Sequence, residues 1–281
     1  MTGTVRFVVT LAFASVLVLA ACGGPGPSQP GPVDQITVAA ASDLRFAFEE
    51  LGSAFAAETG IEVTFSFGSS GQLREQIING APFDLFASAN LAFVEAVVDA
   101  GRGVAETKTD YAVGRIVLWV PEGSIAPTGV AELADSRYQR IAIANPAHAP
   151  YGMAAEQALR SAGIYDQVQP RLIFGENISD TLRIGQSGNA DVAIVALSLV
   201  IGEDRDLVLV PEAMHEPLRQ TLVVTATGAR GQAASRFARY ISSATGRQVM
   251  ARYGFVLPPG EPSAGERADE PAAEEQSAGG H

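Results

Sequence analysis

Val63, Phe65 and Phe67 alternate with Thr64 and Ser66, which is the two-residue period of a β-strand. A few residues later Leu73, Ile77 and Ile78 recur at the spacing of a helix. The period changes across Gly68-Ser69-Ser70-Gly71, small residues that let another group come close to the backbone. The same alternation repeats along the chain. Residues 36–41 predict a strand, and 44–59 an amphipathic helix with Leu44, Phe48, Leu51 and Phe55 on one face. Strand 63–67 is followed by helix 72–79, a short buried strand at 84–88 and a helix at 91–100. The apolar runs 116–120, 141–144 and 192–196 predict further buried strands, each near a helical pattern. This order predicts an α/β fold of mainly parallel sheets flanked by helices. No internal repeat is present.

The ends of the chain carry other patterns. Arg6 precedes the apolar run 7–21, which is short for a membrane span and reads as a signal peptide. The run ends in Leu19-Ala20-Ala21-Cys22, which resembles the lipobox of bacterial lipoproteins and implies a leader over 1–22 with lipidation of Cys22. Cys22 is the single cysteine, so the fold rests on its core without an intrachain disulfide. Residues 23–33 read as a flexible Gly/Pro tether, and 258–281 as a disordered, solvated acidic tail. Between them stands enough apolar sequence for one large domain or two small ones.

Charge narrows the partners. The formal net charge is −12, from 19 basic and 31 acidic residues. A chain this acidic is a poor match for nucleic acid, whose binding depends on cations that displace counterions.

In parallel sheets ligands gather at the carboxyl ends of strands, where the next helix begins. Four such junctions stand out. At Ala41-Ser42-Asp43, Ser42 is placed as a helix N-cap. At Gly68-Ser69-Ser70-Gly71, Ser69 is expected to serve the turn while Ser70 faces a ligand. The third junction runs from Asn145 to Tyr151, with Pro150 where a helix usually starts, and the fourth is Gly175-Glu176-Asn177-Ile178. Helix starts carry unpaired N–H donors and the positive end of the helix dipole. Several aimed at one point make an anion site that needs no cation.

Taken together, Ala39-Ala40-Ala41-Ser42, the run from Phe67 to Ile77, the run from Gly80 to Ala89, Asn145 to Gly152, Gly175 to Ile178, Gly188 to Asp191 and Arg252 to Phe255 stand in a familiar order and spacing. In these residues the chain resembles the molybdate-binding proteins of ABC importers, the ModA family, over roughly 36–257. The resemblance implies a two-lobe, type II periplasmic-binding-protein fold with the ligand between the lobes. It places lobe one at 34–112 and 221–257 and lobe two at 113–220, with crossings near 111–115 and 218–221. Carried over by residue, the oxyanion ligands are Ser42 and Ser70 through hydroxyl and backbone N–H, and Ala89 and Ile178 through backbone N–H. The phenol donor is assigned to Tyr151, because Ala196 stands where other members place a tyrosine. Asp43, next to Ser42, is expected to turn its carboxylate away from the anion. The implied protein is a lipid-anchored extracytoplasmic monomer, with molybdate or tungstate as cargo, an ABC permease as partner and no cofactor.

Other readings compete. A receptor for sulfate or phosphate uses the same donors, and an oxyanion-sensing lipoprotein fits the anchor equally. A serine hydrolase is the enzymatic alternative. Against it, Gln72 stands where the G-x-S-x-G elbow requires its last glycine. The three histidines, His148, His215 and His281, form no metal-binding spacing, and His148 reads as a loop bystander. Trp119 reads as core, and Asp84 and Asp191 as caps or surface charges.

Overall fold

The computed structural model describes residues 34–204 and 207–258. The leader, Cys22, the tether and the tail beyond Pro258 lie outside the described residues.

Two five-stranded sheets organise the chain. The first contains β1 (Gln35–Ala41), β2 (Glu62–Gly68), β3 (Leu85–Ser88) and β4 (Thr109–Gly114). The second contains β5 (Ile116–Trp119), β6 (Ile141–Ala144), β7 (Leu172–Gly175), β8 (Val192–Ala196) and β9 (Val208–Leu209). The chain then returns to the first sheet as β10 (Leu218–Val224). The strand orders are β2-β1-β3-β10-β4 and β7-β6-β8-β5-β9. Helices α1 (Arg45–Thr59), α2 (Ser70–Ile78) and α3 (Leu91–Asp99) belong to the first lobe. Helices α4 (Pro150–Ser161), α5 (Tyr165–Val168) and α6 (Ile178–Gln186) belong to the second, and α7 (Ala233–Ser242) and α8 (Ala244–Arg252) complete the first.

The predicted strands and helices of the first lobe form within a few residues of their expected ends. Alternation in β1 sends Val38 and Ala40 to one face and Ala39 to the other. Val38 and Ala40 join a core with Phe48, Phe55 and Phe237, while Ala39 meets Leu73 and Ile77 of α2 and Val94 and Val97 of α3. The ring centroids of Phe55 and Phe237 lie 5.1 Å apart, and those of Phe48 and Phe65 5.9 Å. In the second lobe α4 and α6 pack on β6 and β8. Trp119 lies in this core, as expected. Asp84 and Asp191 anchor strand ends: Asp84 accepts from the Thr37 N–H at 2.8 Å, and Asp191 from the Gln139 and Arg140 N–H groups.

In each sheet one strand runs against the rest, β10 in the first and β5 in the second. These are the strands that enter a lobe from the other one. A chain that leaves lobe one at the carboxyl end of β4 reaches lobe two from the shared side and must run away from it. The change of sheet takes place at Arg115, between Gly114 and Ile116, and again in 210–217. The boundaries expected at 112/113 and 220/221 therefore fall inside β4 and β10. Leu218 pairs with Gly114, so the two crossing strands lie side by side.

Candidate functional site

The four strand-to-helix junctions meet in one place. Ala41, Ser42, Asp43, Gly68, Ser69, Ser70, Ala89, Ala149, Pro150, Tyr151, Asn177 and Ile178 enclose a cavity of about 10 Å³, measured as the volume open to the centre of a water-sized sphere. On that measure one water needs roughly 10–15 Å³. The closed space is thus no larger than one water, and any ligand enters by parting the lobes. No Lys, Arg or His side chain belongs to the wall. A larger hollow of about 1080 Å³ lies on lobe one against α7 and α8, but it is lined by Glu106, Asp110, Arg239 and Arg247 and reached by none of these helix starts.

Each residue singled out from the sequence lies in the wall of the small cavity: Ser42, Ser70 and Ala89 from lobe one, Tyr151 and Ile178 from lobe two. All five are at most 3% exposed. Ser70 opens α2 and Ile178 opens α6, so their N–H groups have no acceptor within the helix. Pro150 is the first residue of α4, where its missing N–H costs nothing. Asn177 caps α6 by accepting from the Asp180 N–H at 3.0 Å. The Ala89 N–H donates to Ser70 Oγ at 3.1 Å, which leaves the Ser70 hydrogen for another acceptor.

Three expectations need correction. Ser42 does not cap a helix: it begins a one-turn 3-10 helix, Ser42–Leu44, and makes no capping bond with its side chain. Its hydroxyl oxygen and carbonyl instead meet Ser179 of lobe two, which donates from N–H at 3.4 Å and from Oγ at 3.0 Å. Ser69 does more than serve its own turn. It donates to the His148 carbonyl at 2.6 Å, and its oxygen lies 2.8 Å from His148 Nδ1. Since the serine hydrogen goes to the carbonyl, Nδ1 is the donor in the second contact. The Gly71 N–H joins the same carbonyl at 2.9 Å. His148 is thus an interlobe clasp rather than a bystander.

The third correction concerns Asp43, which does not turn away. It is 1% exposed and accepts from the Tyr151 hydroxyl at 3.0 Å across the cleft. Its own carbonyl accepts from Ser198 Oγ at 2.7 Å. Oδ1 is buried with no hydrogen-bond partner. Burial raises the Asp43 carboxyl to about pH 7, against smaller opposing effects of Tyr151, its own backbone N–H and nearby Gln220, which lies outside hydrogen-bond geometry. Burial and then the Asp43 charge push the Tyr151 phenol well above its ordinary range. The side chain faces inward because α4 delivers Tyr151 to it, a partner 108 residues away that no local pattern announces.

Residues 36–256 match the family model of bacterial extracellular solute-binding proteins. The chain is 34% identical over 232 residues to the molybdate-binding protein ModA of Rhodobacter capsulatus, covering 82% of this chain and 92% of that protein. It belongs to the ModA family of bacterial extracellular solute-binding proteins. The periplasmic molybdate-binding protein of Azotobacter vinelandii, a ModA structure, superposes with a TM-score of 0.76 at 31% identity, covering 80% of this chain and all of that one. A further relative is the putative ABC transporter substrate-binding lipoprotein YvgL of Bacillus subtilis, 28% identical over 79% of this chain and 86% of its own length. Membership of the ModA family accounts for the two-lobe architecture and the cleft between the lobes.

Proposed function

We propose that this chain captures molybdate, or tungstate, outside the cytoplasm and hands it to an ABC importer. The observation that carries this reading is the small enclosure between the lobes, built from helix starts and hydroxyls without a cation in its wall. A tetrahedral dianion presents only acceptors, and the helix-start N–H groups and hydroxyls of the wall complement it. The names of the relatives in Rhodobacter capsulatus and Azotobacter vinelandii support the same cargo. In this reading Ser42 and Ser70 bind through hydroxyl and N–H, Ile178 through N–H, Ala89 through an N–H that turns to the anion from Ser70 Oγ, and Tyr151 through its phenol.

The reading is one of binding, not catalysis. Ser69 and His148 lie in contact, but the serine hydrogen goes to the histidine's own carbonyl and Nδ1 donates back. That arrangement is opposite to the one in which a histidine removes a serine proton. Lobe one then holds 34–114 and 218–257 and lobe two 116–209, with the crossings at Arg115 and in 210–217. Lipidation at Cys22 would tether a monomer to the membrane beside its permease.

Titration calorimetry of the soluble body against molybdate, tungstate, sulfate and phosphate tests the proposal. Donors held on rigid helix ends favour one anion size, so molybdate and tungstate bind alike and sulfate at least ~100-fold more weakly, about 2.7 kcal/mol. Sulfate binding as tightly as molybdate would assign the chain a different cargo.

A further inference from the structure

The Asp43 carboxyl is the one acidic group in the wall of a cavity that otherwise offers neutral donors. Among the described residues no cation pairs with it. Arg45, two residues on, stacks over Phe67 and pairs with Glu49 instead. The elements packed around Asp43 present Tyr151 from α4, Tyr111 and Asp110 from β4, Gln220 from β10, Ser198 from the turn after β8, Ser179 from α6, and the Ser69–His148 pair beyond the end of β2. Tyr111, like Tyr151, is kept neutral by burial, and Asp110 is engaged by Arg219 and Thr221.

The Tyr151 phenol has one hydrogen, and in the closed lobes it points at Asp43 Oδ2. With an ionised carboxylate that hydrogen is held, and the phenol can offer an anion only its lone pairs. A dianion beside the carboxylate would also place like charges together in a dry enclosure. A single proton resolves both conflicts. Taken from solvent onto Oδ2, it lets the carboxyl donate to the phenol oxygen, and the phenol hydrogen becomes free for the anion.

We propose that the cavity takes its oxyanion together with one proton, which Asp43 carries between the closed lobes. The inference rests on the oxyanion reading above and adds a second ligand to the same site. Burial already lifts this carboxyl to about 7 in the closed lobes, and a dianion acts in the same direction. Parting the lobes lets water reach the group from the Tyr151 side and lowers its value, while Tyr111 and Gln220 of lobe one stay beside it. The closed, loaded form therefore holds the proton more tightly than the open one. Binding is fully favoured below the open-state value and weakens as the pH rises towards the closed-state value.

The test is calorimetry of the whole mature chain with molybdate between pH 6.5 and 9, in buffer pairs of different ionisation enthalpy. Wild type takes up close to one proton per anion near pH 7, and its affinity falls by up to ~10-fold per pH unit. In Asp43→Asn, whose amide N–H can donate to the Tyr151 oxygen as the protonated carboxyl does, the uptake and the slope disappear while the anion still binds. His148→Gln keeps the uptake. Molybdate binding by wild type with no buffer-dependent heat and a flat affinity overturns the inference and leaves the oxyanion reading standing. Uptake that survives in Asp43→Asn, or vanishes in His148→Gln, assigns the proton elsewhere and overturns it as well. No heat with molybdate, tungstate or sulfate at any pH removes both readings.

Discussion

Replacing Gly71 with alanine separates lobe closure from lobe stability. Gly71 is the second residue of α2, and its N–H donates to the His148 carbonyl of the facing lobe at 2.9 Å. A Cβ at this position would lie 2.6 Å from that oxygen and 3.0 Å from the His148 Cα and Cβ. An unstrained carbon–oxygen contact is about 3.3–3.6 Å, so the lobes must part here by roughly 0.7–1 Å. The His148 backbone cannot simply yield, because the Asn145 carbonyl accepts from the N–H groups of both His148 and Ala149. Parting breaks the Gly71 bond and the Ser69 bond to the same carbonyl. At ~0.5–1.5 kcal/mol each, the closed form loses about 1–3 kcal/mol, which weakens molybdate binding roughly 5- to 150-fold. Lobe one itself should not suffer, since alanine in a helix is favoured over glycine by up to ~1 kcal/mol. Calorimetry with molybdate, beside melting curves with and without it, reads both effects. The expected result is an unchanged or higher midpoint without ligand and a smaller rise on adding molybdate. A folded variant with wild-type affinity would show that the ligand is not held by lobes closed at this contact.

Ser70→Ala removes a hydroxyl aimed at a charged ligand and weakens molybdate binding by roughly 10- to 150-fold. Ser69→Ala loses both of its contacts with His148, about 1–3 kcal/mol of lobe closure, and weakens binding by roughly 5- to 150-fold. Titration of the two variants with molybdate decides, and wild-type affinity in Ser70→Ala would refute the assignment of the loop. Tyr151→Phe leaves both Asp43 oxygens buried without a donor, which lowers stability by ~1–3 kcal/mol as well as weakening the anion; an unchanged melting midpoint would contradict the buried contact.

The elements were legible because local pattern decides them. The helical face of Leu44, Phe48, Leu51 and Phe55 and the alternation of 63–67 need no knowledge of what they pack against. The junctions were legible for the same reason: serine, glycine, proline and asparagine sit where a strand gives way to a helix, and their chemistry there is local. Ser42, Ser70, Ala89, Tyr151 and Ile178 were named only through the resemblance to the ModA family that these pieces carry together. The limits of the lobes were less legible, because β4 and β10 keep their strand pattern straight through the positions where the chain begins to cross.

What the sequence determined by itself, then, was the α/β framework and the strand-to-helix junctions it carries, since both follow from residue type and short-range period. What only the tertiary structure decided is how the lobes answer each other. Ser42 with Ser179, Ser69 and Gly71 with His148, and Asp43 with Tyr151 join residues 77 to 137 positions apart. A serine beside a helix start looks like a cap and an aspartate looks solvated until the facing lobe arrives. Closure removes water and brings one specific partner to each, and neither the exclusion of water nor the identity of the partner is written in the neighbouring sequence.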